Sequence, residues 1–296
     1  MRAFVAGGSG FLGRGMTEAL LSAGWQVRCQ VRSRGKSVFG EELGVEKFAA
    51  AEQFTGRFAQ GMQGCDAVFN FVGIIREFTG KGVTFRKAHP QFTGMLLDAC
   101  REAGIKRCLH MSALAVDSGL NIGYNVSKLA SEKLVRESGL DWTIVRPSLI
   151  FGPGDRFALE FAAWIKKGIP IPLIGKGDYR LMPVSRKDLC QGMVKLIDMK
   201  ESFGKTYNIG GAEKMSYLEV LRVIEQAAGR KTRLIKLPAG LVILAAKLLG
   251  RFQRFPASAD MIKQLLNESV TDESDFWRIT GIQPNKLEDE IREYVN

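Results

Sequence analysis

The stretch Arg2-Ala-Phe-Val-Ala-Gly-Gly-Ser-Gly-Phe-Leu-Gly13 decides the fold of this chain. Its first five residues form a short apolar run that ends at glycines, which is typical of a buried parallel strand. From Phe11 to Ala23 apolar residues recur at helical spacing, and Gly24 ends that helix as a C-terminal cap would. A strand, a glycine-rich turn and a helix in this order predict the start of an α/β domain.

The glycines of the turn follow the spacing G-x-x-G-x-x-G. Gly7 permits a tight turn, Gly10 lets the backbone approach a pyrophosphate, and Gly13 lets the helix pack on the sheet. The helix N-terminus then directs free N–H groups and a positive dipole end at the phosphates. The turn therefore predicts a site for an NAD(P)-type dinucleotide, which Phe11 and Leu12 of the same turn are expected to help form.

The end of the second predicted strand, residues 25–31, indicates which dinucleotide binds. NAD sites usually carry an acidic residue there to hold the ribose 2′-hydroxyl, whereas an arginine accommodates a 2′-phosphate. This chain has Arg32 and Arg34, with no carboxylate before Glu41. We therefore expect NADP(H) to be preferred over NAD(H). The alternative, a solvated basic loop, would leave the preference undecided.

Strand and helix patterns alternate as far as residue 150. Strands are predicted at 66–73, 107–112 and 142–147, and helices at 93–103 and 124–138. This alternation predicts a doubly wound parallel sheet, the α/β Rossmann architecture, covered by helices on both faces. We expect a Rossmann domain at 1–150 with a returning segment at about 183–211. Residues 151–182 and 212–296 would form a smaller, mostly helical C-terminal lobe.

Tyr124 and Lys128 lie at i and i+4 in a predicted helix, so they project from one helix face. A tyrosine with its ordinary pKa of ~10 is no base at neutral pH. A nearby ammonium and the positive charge of oxidised nicotinamide would lower that pKa. Tyr124 would then exchange a proton with a carbonyl or hydroxyl while the cofactor moves a hydride. Ser112, 12 residues upstream, would hydrogen-bond the same oxygen.

The glycine turn, the strand order and the Tyr124–Lys128 pair together resemble the short-chain dehydrogenase/reductase superfamily. Three later segments resemble its extended and atypical branches, the epimerase/dehydratase-type proteins: Val145–Gly154, Tyr179–Asp188 and Tyr207–Gly211. His110-Met-Ser-Ala-Leu114, followed closely by Tyr124, is most similar to one atypical group. That group includes the NADPH-binding accessory subunit of mitochondrial complex I. The resemblance spans residues 1 to about 225.

The resemblance implies a set of cofactor contacts. The glycine turn would carry the pyrophosphate, and residues 71–73 would line the adenine-ribose side. Arg32, with Arg34 nearby, would hold the 2′-phosphate, and Lys128 would bind the nicotinamide-ribose hydroxyls. The cofactor-binding residues expected in full are Gly7, Gly10, Phe11, Leu12, Gly13, Arg32, Arg34, Phe71, Val72, Gly73, Tyr124, Lys128 and Pro147.

The chain departs from the family pattern at three places. Only 11 residues separate Ser112 from Tyr124, fewer than is usual in sugar-nucleotide epimerases. Ala51-Glu52 stands where relatives often have an Asp-Leu pair, and His89 stands where a helix asparagine is common. The first departure argues against sugar-nucleotide chemistry, and the others argue against full catalytic competence. Arg180 would clamp a substrate phosphate in an epimerase-like protein, or pair with a surface carboxylate instead.

Composition narrows the possible partners. A net charge of +11 permits nucleic acid, an anionic membrane or an anionic small molecule. The chain has no zinc-finger spacing, RNP-like motif or basic arm, which argues against nucleic acid. Five scattered cysteines and two histidines predict neither disulfides nor a metal site. The first apolar run is too short for a signal peptide, so a cytoplasmic location is expected. His110 is interpreted as a structural histidine, and Asp188 as a helix cap.

The segment Leu237–Phe252 is apolar but too short and interrupted to span a membrane, which takes roughly 20 residues. It is either a core helix of the smaller lobe or an interfacial helix flanked by cations that meet anionic headgroups. Peripheral association with a membrane or a respiratory complex through 237–254 is therefore open, as is the oligomeric state. The flanking cations are Lys231, Arg233, Lys236, Arg251 and Arg254.

Three functions are open on this basis. The first is an NADP(H)-dependent oxidoreductase that acts on a small carbonyl or hydroxyl substrate, with Tyr124, Lys128 and Ser112 as catalytic residues. The second is a nucleotide-loaded scaffold or assembly subunit of a membrane redox complex of the NADH:quinone oxidoreductase type. The third is a sugar-nucleotide epimerase or dehydratase.

Overall fold

The structure is a computed structural model that describes residues 1–31, 44–49, 55–249 and 257–295, with only the backbone of 55–57. The predictions made on Arg32, Arg34 and Ala51-Glu52 lie outside these residues. The same holds for Arg251 and Arg254 among the cations that flank the apolar segment.

Seven strands of the described residues form the main sheet. They are β1 (Arg2–Ala6), β2 (Gln26–Val31), β3 (Glu46–Ala49), β4 (Ala67–Asn70), β5 (Arg107–Met111), β6 (Asp141–Pro147) and β11 (Lys205–Ile209). All pair in parallel, in the spatial order β11-β6-β5-β4-β1-β2-β3. The order reverses between β1 and β4, and ligands of such sheets bind at the carboxyl ends of the strands beside this point.

Helices cover both faces of the sheet, as the sequence predicts for a Rossmann architecture. The helices nearest the sheet are α1 (Phe11–Ser22), α2 (Thr55–Met62), α3 (Phe92–Glu102), α4 (Gly123–Arg136), α6 (Arg186–Lys195) and α10 (Asp275–Thr280). Strand β1 is apolar from Ala3 to Ala6 because both of its faces are covered. Ala3 and Val5 pack into one core cluster with α1 and α6, whereas Phe4 and Ala6 pack into another with α2 and α3.

The chain between β4 and α3 contains two short helical turns. Thr79–Lys81 is a 3-10 turn, and Lys87–Gln91 is a π-helical turn that leads directly into α3. A further 3-10 turn, Lys200–Ser202, precedes β11. Single π-turns are frequent at functional sites, and this one carries His89.

Most of the remaining elements surround a separate core. The remaining elements in chain order are β7 (Ile150–Phe151), α5 (Arg156–Lys166), β8 (Ile171–Ile174), β9 (Arg180–Leu181), β10 (Val184–Ser185), β12 (Met215–Ser216), α7 (Tyr217–Ala227), β13 (Leu234–Leu237), α8 (Ala239–Leu249), α9 (Ala259–Leu266) and α11 (Leu287–Val295). Tyr217, Ile224 and Ile291 lie at the centre of this core. Phe276 packs instead into the main core, so the predicted lobe boundaries stay a prediction.

Two helix caps test the sequence interpretation. At α7, Ser216 and Glu219 form the capping box that the sequence pattern S-x-x-E predicts. The interpretation of Asp188 as a cap was wrong, because Ser185 precedes α6 and accepts the N–H of Asp188. Asp188 lies inside the first turn, where its carboxylate accepts two hydrogen bonds from Asn285. Among the described residues, no helix combines the length and the apolar character that crossing a membrane requires.

Candidate cofactor and active site

The glycine turn is held by contacts that leave no room for side chains. Gly7 has a φ of +76° and donates its N–H to Oε1 of Gln30 at 3.0 Å. Its carbonyl oxygen accepts the N–H of Gly10 at 2.9 Å. A Cβ on Gly13 would lie 2.2 Å from that same oxygen. The turn therefore has this shape only while Gly7 and Gly13 are glycines.

The N-terminus of α1 is open to an anion. Gly10 precedes the helix, gives no side-chain cap, and no acidic residue lies in the first turn. The first N–H groups of a helix have no partner within it and attract negative charge together with the helix dipole. Gly10 is exposed, while Phe11 and Leu12 are half-buried. This glycine cradle with an uncapped helix fits a pyrophosphate.

The segment after β4 connects this turn to the centre of the site. A Cβ on Gly7 would lie 3.1 Å from the carbonyl carbon of Phe71, so the two segments touch. Val72 donates its N–H to Oδ1 of Asn70 at 3.2 Å. Gly73 is exposed, and a Cβ there would lie 3.3 Å from Nζ of Lys128. The structure thus brings residues 71–73, the glycine turn and Lys128 together.

Tyr124 and Lys128 lie one turn apart at the start of α4, as expected. Nζ of Lys128 is buried and donates to the carbonyl oxygen of Met111, at the end of β5, over 3.0 Å. The Tyr124 ring packs edge-on against Phe85 and His89, with centroid distances of 5.9 and 5.7 Å. These rings fix the direction of the tyrosine side chain.

Burial shifts the pKa values of Tyr124 and Lys128 in the directions that favour the uncharged form of each side chain. It raises the pKa of Tyr124 to about 12, and it lowers the pKa of Lys128 to about 8, partly opposed by Glu132. The sequence predicts that Lys128 lowers the pKa of Tyr124. Within the chain itself, burial raises that pKa instead. The phenol is protonated at neutral pH, and Lys128 is positively charged there.

His89 has a larger part in the site than the sequence suggests. Its Nε2 accepts the N–H of Ile74 at 3.1 Å, so the proton is on Nδ1. Nδ1 lies 2.7 Å from Oγ of Ser127, which donates to the carbonyl oxygen of Tyr124. Burial, with the nearby charge of Lys128, lowers the pKa of His89 to about 3. A neutral histidine therefore connects the segment after β4 to the turn that carries Tyr124.

Ser112 directly follows β5, and its side chain faces Glu132 of α4. Its hydroxyl is buried, lies against the Glu132 carboxylate, and has no hydrogen bond of regular geometry. Glu132 is fully buried and accepts two hydrogen bonds from Arg146 and one from Arg136. No hydrogen bond joins Ser112 to Tyr124 within the described part of the chain.

The other histidine supports its structural interpretation. His110 lies within β5 and accepts from Nδ2 of Asn70 at 3.1 Å. Burial lowers its pKa to about 3, so it is neutral. Its Nε2 is buried without a partner among the described residues. His110 and Ser112, which flank Met111 in sequence, thus each carry a buried polar atom that makes no regular hydrogen bond among the described residues.

The last two predicted site residues lie in different surroundings. Pro147 ends β6 in a buried position, and its carbonyl oxygen accepts the N–H of Leu114. Arg180 is exposed on β9, where its charge helps lower the pKa of Glu219. Arg180 thus lies near a surface carboxylate. This is in line with the second interpretation of Arg180, in which it pairs with such a carboxylate.

Arg186 was not foreseen from the sequence. It is buried at the start of α6, where one guanidinium nitrogen donates to the carbonyl oxygens of Phe11 and Pro153. Gly15 makes room for it, because a Cβ there would lie 2.9 Å from Nε of Arg186. This arginine holds the start of α1 against the loop after β7. It is 175 residues away from Phe11, so no local pattern marks it.

The fold and site define a dinucleotide-binding protein of the doubly wound α/β class. The chain belongs to the NAD dependent epimerase/dehydratase family, whose sequence pattern matches residues 3–210. That family is a nicotinamide-dependent one, which agrees with the expectation of such a cofactor here.

Curated relatives of this chain are enzymes and subunits of larger complexes. A 4-hydroxy-2-methyl-3-oxo-4-farnesyl-3,4-dihydroquinoline-1-oxide ketoreductase of Stigmatella aurantiaca is 26% identical over 84% of this chain and 79% of its own length. The NADH dehydrogenase [ubiquinone] 1 alpha subcomplex subunit 9 of Mus musculus is 26% identical over 97% of this chain and 77% of its own length. The resemblance to the accessory-subunit group is thereby confirmed.

A solved structure shows the same fold. The UDP-glucose 4-epimerase of Thermus thermophilus in complex with NAD superposes with a TM-score of 0.76 at 20% identity, over 100% of this chain and 98% of that one. The predicted Rossmann fold is confirmed.

Proposed function

We propose that this chain is an NADP(H)-dependent oxidoreductase that reduces a carbonyl group of a small molecule. The observation that carries the proposal is the position of Lys128. Its ammonium is held at the end of β5 by the Met111 carbonyl, beside Gly73 and one helical turn from Tyr124. The open N-terminus of α1 lies on the other side of the segment 71–73 from the Lys128 ammonium. A reacting group placed between Lys128 and that helix N-terminus would meet both Tyr124, the proton donor, and the cofactor site.

The protonated phenol of Tyr124 suits it to the part of proton donor in a reduction. NADPH held by the glycine turn would supply the hydride for the carbonyl carbon. Tyr124, protonated because burial raises its pKa to about 12, gives its hydroxyl proton to the carbonyl oxygen as the alcohol forms. The charged Lys128 stabilises the remaining phenolate until a solvent proton restores it. Ser112 would reach the same oxygen only by turning its hydroxyl away from Glu132.

The preference for NADP(H) rests on Arg32 and Arg34. They directly follow β2, whose Gln30 accepts the N–H of Gly7. A cofactor on the glycine turn therefore has its adenosine ribose near the end of this strand. Two arginines there suit a 2′-phosphate. In Arg32→Ala and in Arg34→Ala, the Kd for NADPH should rise at least tenfold while the Kd for NADH changes little. Equal Kd values in wild type and variants would contradict the preference.

Reduction is tested by removing the proton donor alone. Tyr124→Phe keeps the ring that packs on Phe85 and His89 but has no proton to give. We expect it to bind NADPH like the wild type, and to lose at least a hundredfold in kcat with a ketone or aldehyde that the wild type reduces. Tyr207→Phe, on β11 at the far edge of the sheet, is the matched control and keeps full activity. Turnover that survives in Tyr124→Phe would exclude the proposed role.

The substrate class is a compound with a ketone or aldehyde group. The ketoreductase of Stigmatella aurantiaca supports it, since its name describes reduction of a ketone in a farnesylated compound. Only 11 residues separate Ser112 from Tyr124, fewer than is usual in sugar-nucleotide epimerases, which argues against the sugar-nucleotide alternative.

A second candidate is a nucleotide-loaded subunit of a membrane redox complex, associated through 237–254. The resemblance to the mouse NADH dehydrogenase subunit favours it, as does the histidine in place of the family's helix asparagine. NADPH that copurifies, and that no carbonyl compound oxidises, would support this candidate over the reductase.

A further inference from the structure

Helix α8 carries an apolar stripe that nothing in the described chain covers. Leu241, Leu244 and Leu248 are 64%, 53% and 63% exposed. They lie at i, i+3 and i+7, which places them on one face of the helix. The strand before α8 adds exposed Ile235 and Leu237. A soluble surface rarely exposes neighbouring large apolar side chains in this number.

The opposite face of α8 shows that the helix is firmly placed. Ala246 is buried, and Val242 and Ile243 pack with it against Ile174 and Ile262 of β8 and α9. The exposed leucines therefore belong to a helix whose other face already has its core partners. The helix is apolar on both sides, which is unusual for a helix with one face in water.

The charged residues of β13, of α8 and of the chain just before them all have one sign. From Gly229 to Leu249 the chain has five basic residues and no acidic residue. All five are exposed: Arg230, Lys231, Arg233, Lys236 and Lys247. Lys247 lies three residues after Leu244, so it borders the leucine stripe directly.

We propose that this surface, α8 with strand β13 and its flanking cations, binds the surface of a membrane that contains anionic lipids. An interfacial helix buries leucines below the headgroups while lysines and arginines attract anionic phosphates. A second copy of the chain is a poorer occupant, because a two-fold interface places this cation-rich surface against its own copy. The proposal does not rest on the proposed reductase activity, and its test uses no turnover.

The test measures cosedimentation of the full chain with vesicles. Vesicles of phosphatidylcholine alone are compared with vesicles of equal parts phosphatidylcholine and phosphatidylglycerol. We expect binding to the anionic vesicles that weakens with added salt. Leu244→Gln combined with Leu248→Gln should reduce the binding constant at least tenfold, because glutamine suits a helix but not the acyl region. Leu244→Trp should strengthen binding, since tryptophan prefers the interface.

Matched controls separate the surface from general effects. Leu159→Gln, on α5, removes an exposed leucine elsewhere and should bind as the wild type does. The triple change Lys231→Gln, Arg233→Gln and Lys236→Gln should weaken binding by about fivefold per cation removed. The triple change Lys81→Gln, Lys106→Gln and Lys200→Gln removes equal charge from other exposed positions and should not.

Three outcomes would overturn the proposal. The first is a wild type that stays in the supernatant with anionic vesicles at low salt. The second is a leucine variant that keeps its thermal unfolding midpoint and binds as tightly as the wild type. The third is a dimer in light scattering that the leucine variant converts to a monomer, with no vesicle binding by either.

Discussion

Nδ1 of His89 lies 2.7 Å from Oγ of Ser127, and through that serine the histidine reaches the backbone of Tyr124. Its other ring nitrogen accepts the N–H of Ile74. Both contacts are made by the neutral ring, so a second proton on His89 would break the bond to Ile74. The position of the tyrosine is therefore linked to the protonation of a buried histidine.

The first prediction concerns stability in mild acid. The pKa of His89 is about 3 in the folded chain, below its ordinary value of ~6.5. Between these values the unfolded chain binds more protons, so stability falls as the pH drops below ~6.5. The contribution reaches at most about 1.4 kcal/mol per pH unit.

Urea unfolding of wild type and His89→Asn at several values between about pH 7 and pH 5 checks this. As the pH falls through this range, the free energy of unfolding of His89→Asn should decrease less steeply than that of the wild type, by up to about 1.4 kcal/mol per pH unit. His110, with its pKa also lowered to about 3, gives the same sign, so His110→Gln is a second reference. Identical slopes in wild type and His89→Asn would contradict the prediction.

The second prediction concerns the buried ammonium of Lys128. Its pKa of about 8 is below the ordinary 10.5. The cost of burying its charge is therefore fully present below pH 8, and stability rises as the pH increases from 8 toward 10.5. Relative to Lys128→Met, the wild type should gain up to about 1.4 kcal/mol per pH unit in this range. Lys133→Met, on the exposed face of α4, is the control, and its free energy of unfolding should change with pH in parallel with that of the wild type. If the free energy of unfolding of Lys128→Met also changed with pH in parallel with that of the wild type, Lys128 would not be buried as a charge.

The third prediction separates the turn glycines from an ordinary helix glycine. A Cβ on Gly13 would lie 2.2 Å from the carbonyl oxygen of Gly7. Gly13→Ala should therefore cost about 3 kcal/mol in thermal unfolding and weaken NADPH binding at least tenfold. Gly94→Ala, in α3, places its Cβ 3.9 Å from Leu134 and should be neutral or stabilise by up to about 1 kcal/mol. Equal effects of the two substitutions would refute this account of the turn.

The fourth prediction concerns the ion cluster below the active site. Burial alone would raise the pKa of Glu132, but hydrogen bonds from Arg146 and Arg136, with the adjacent Ser112 hydroxyl, hold it below its usual value. Its contribution is present at neutral pH and lost as the pH falls through that lowered pKa. Glu132→Gln should destabilise the chain by about 3 kcal/mol at pH 7, because it leaves Arg146 without its buried partner.

Glu137→Gln is the control for this cluster. Glu137 is exposed, and its carboxylate lies 3.9 Å from Nζ of Lys133. Such a surface pair contributes roughly 0–1 kcal/mol. Chemical unfolding of both variants at neutral pH distinguishes them, and a Glu132→Gln variant as stable as Glu137→Gln would be evidence against the cluster.

The sequence by itself determined the glycine turn, the parallel α/β fold and the pair Tyr124–Lys128. These features depend on residues close in the chain, where helical and strand periodicity fixes which side chains share a face. The cap of α7 was predictable for the same reason, because Ser216 and Glu219 are three residues apart.

Only the tertiary structure decided the contacts between distant segments. His89 meets Ser127, Arg186 meets Phe11, and Ser112 faces Glu132, because crossover helices bring these segments together at the carboxyl edge of the sheet. Burial also decided the charge states, and so the pKa of Tyr124 is raised rather than lowered. Packing alone decided which face of the apolar segment is buried and which is exposed. One face of α8 is in the core and the leucine stripe is in solvent, since a helix has two faces and this core covers one.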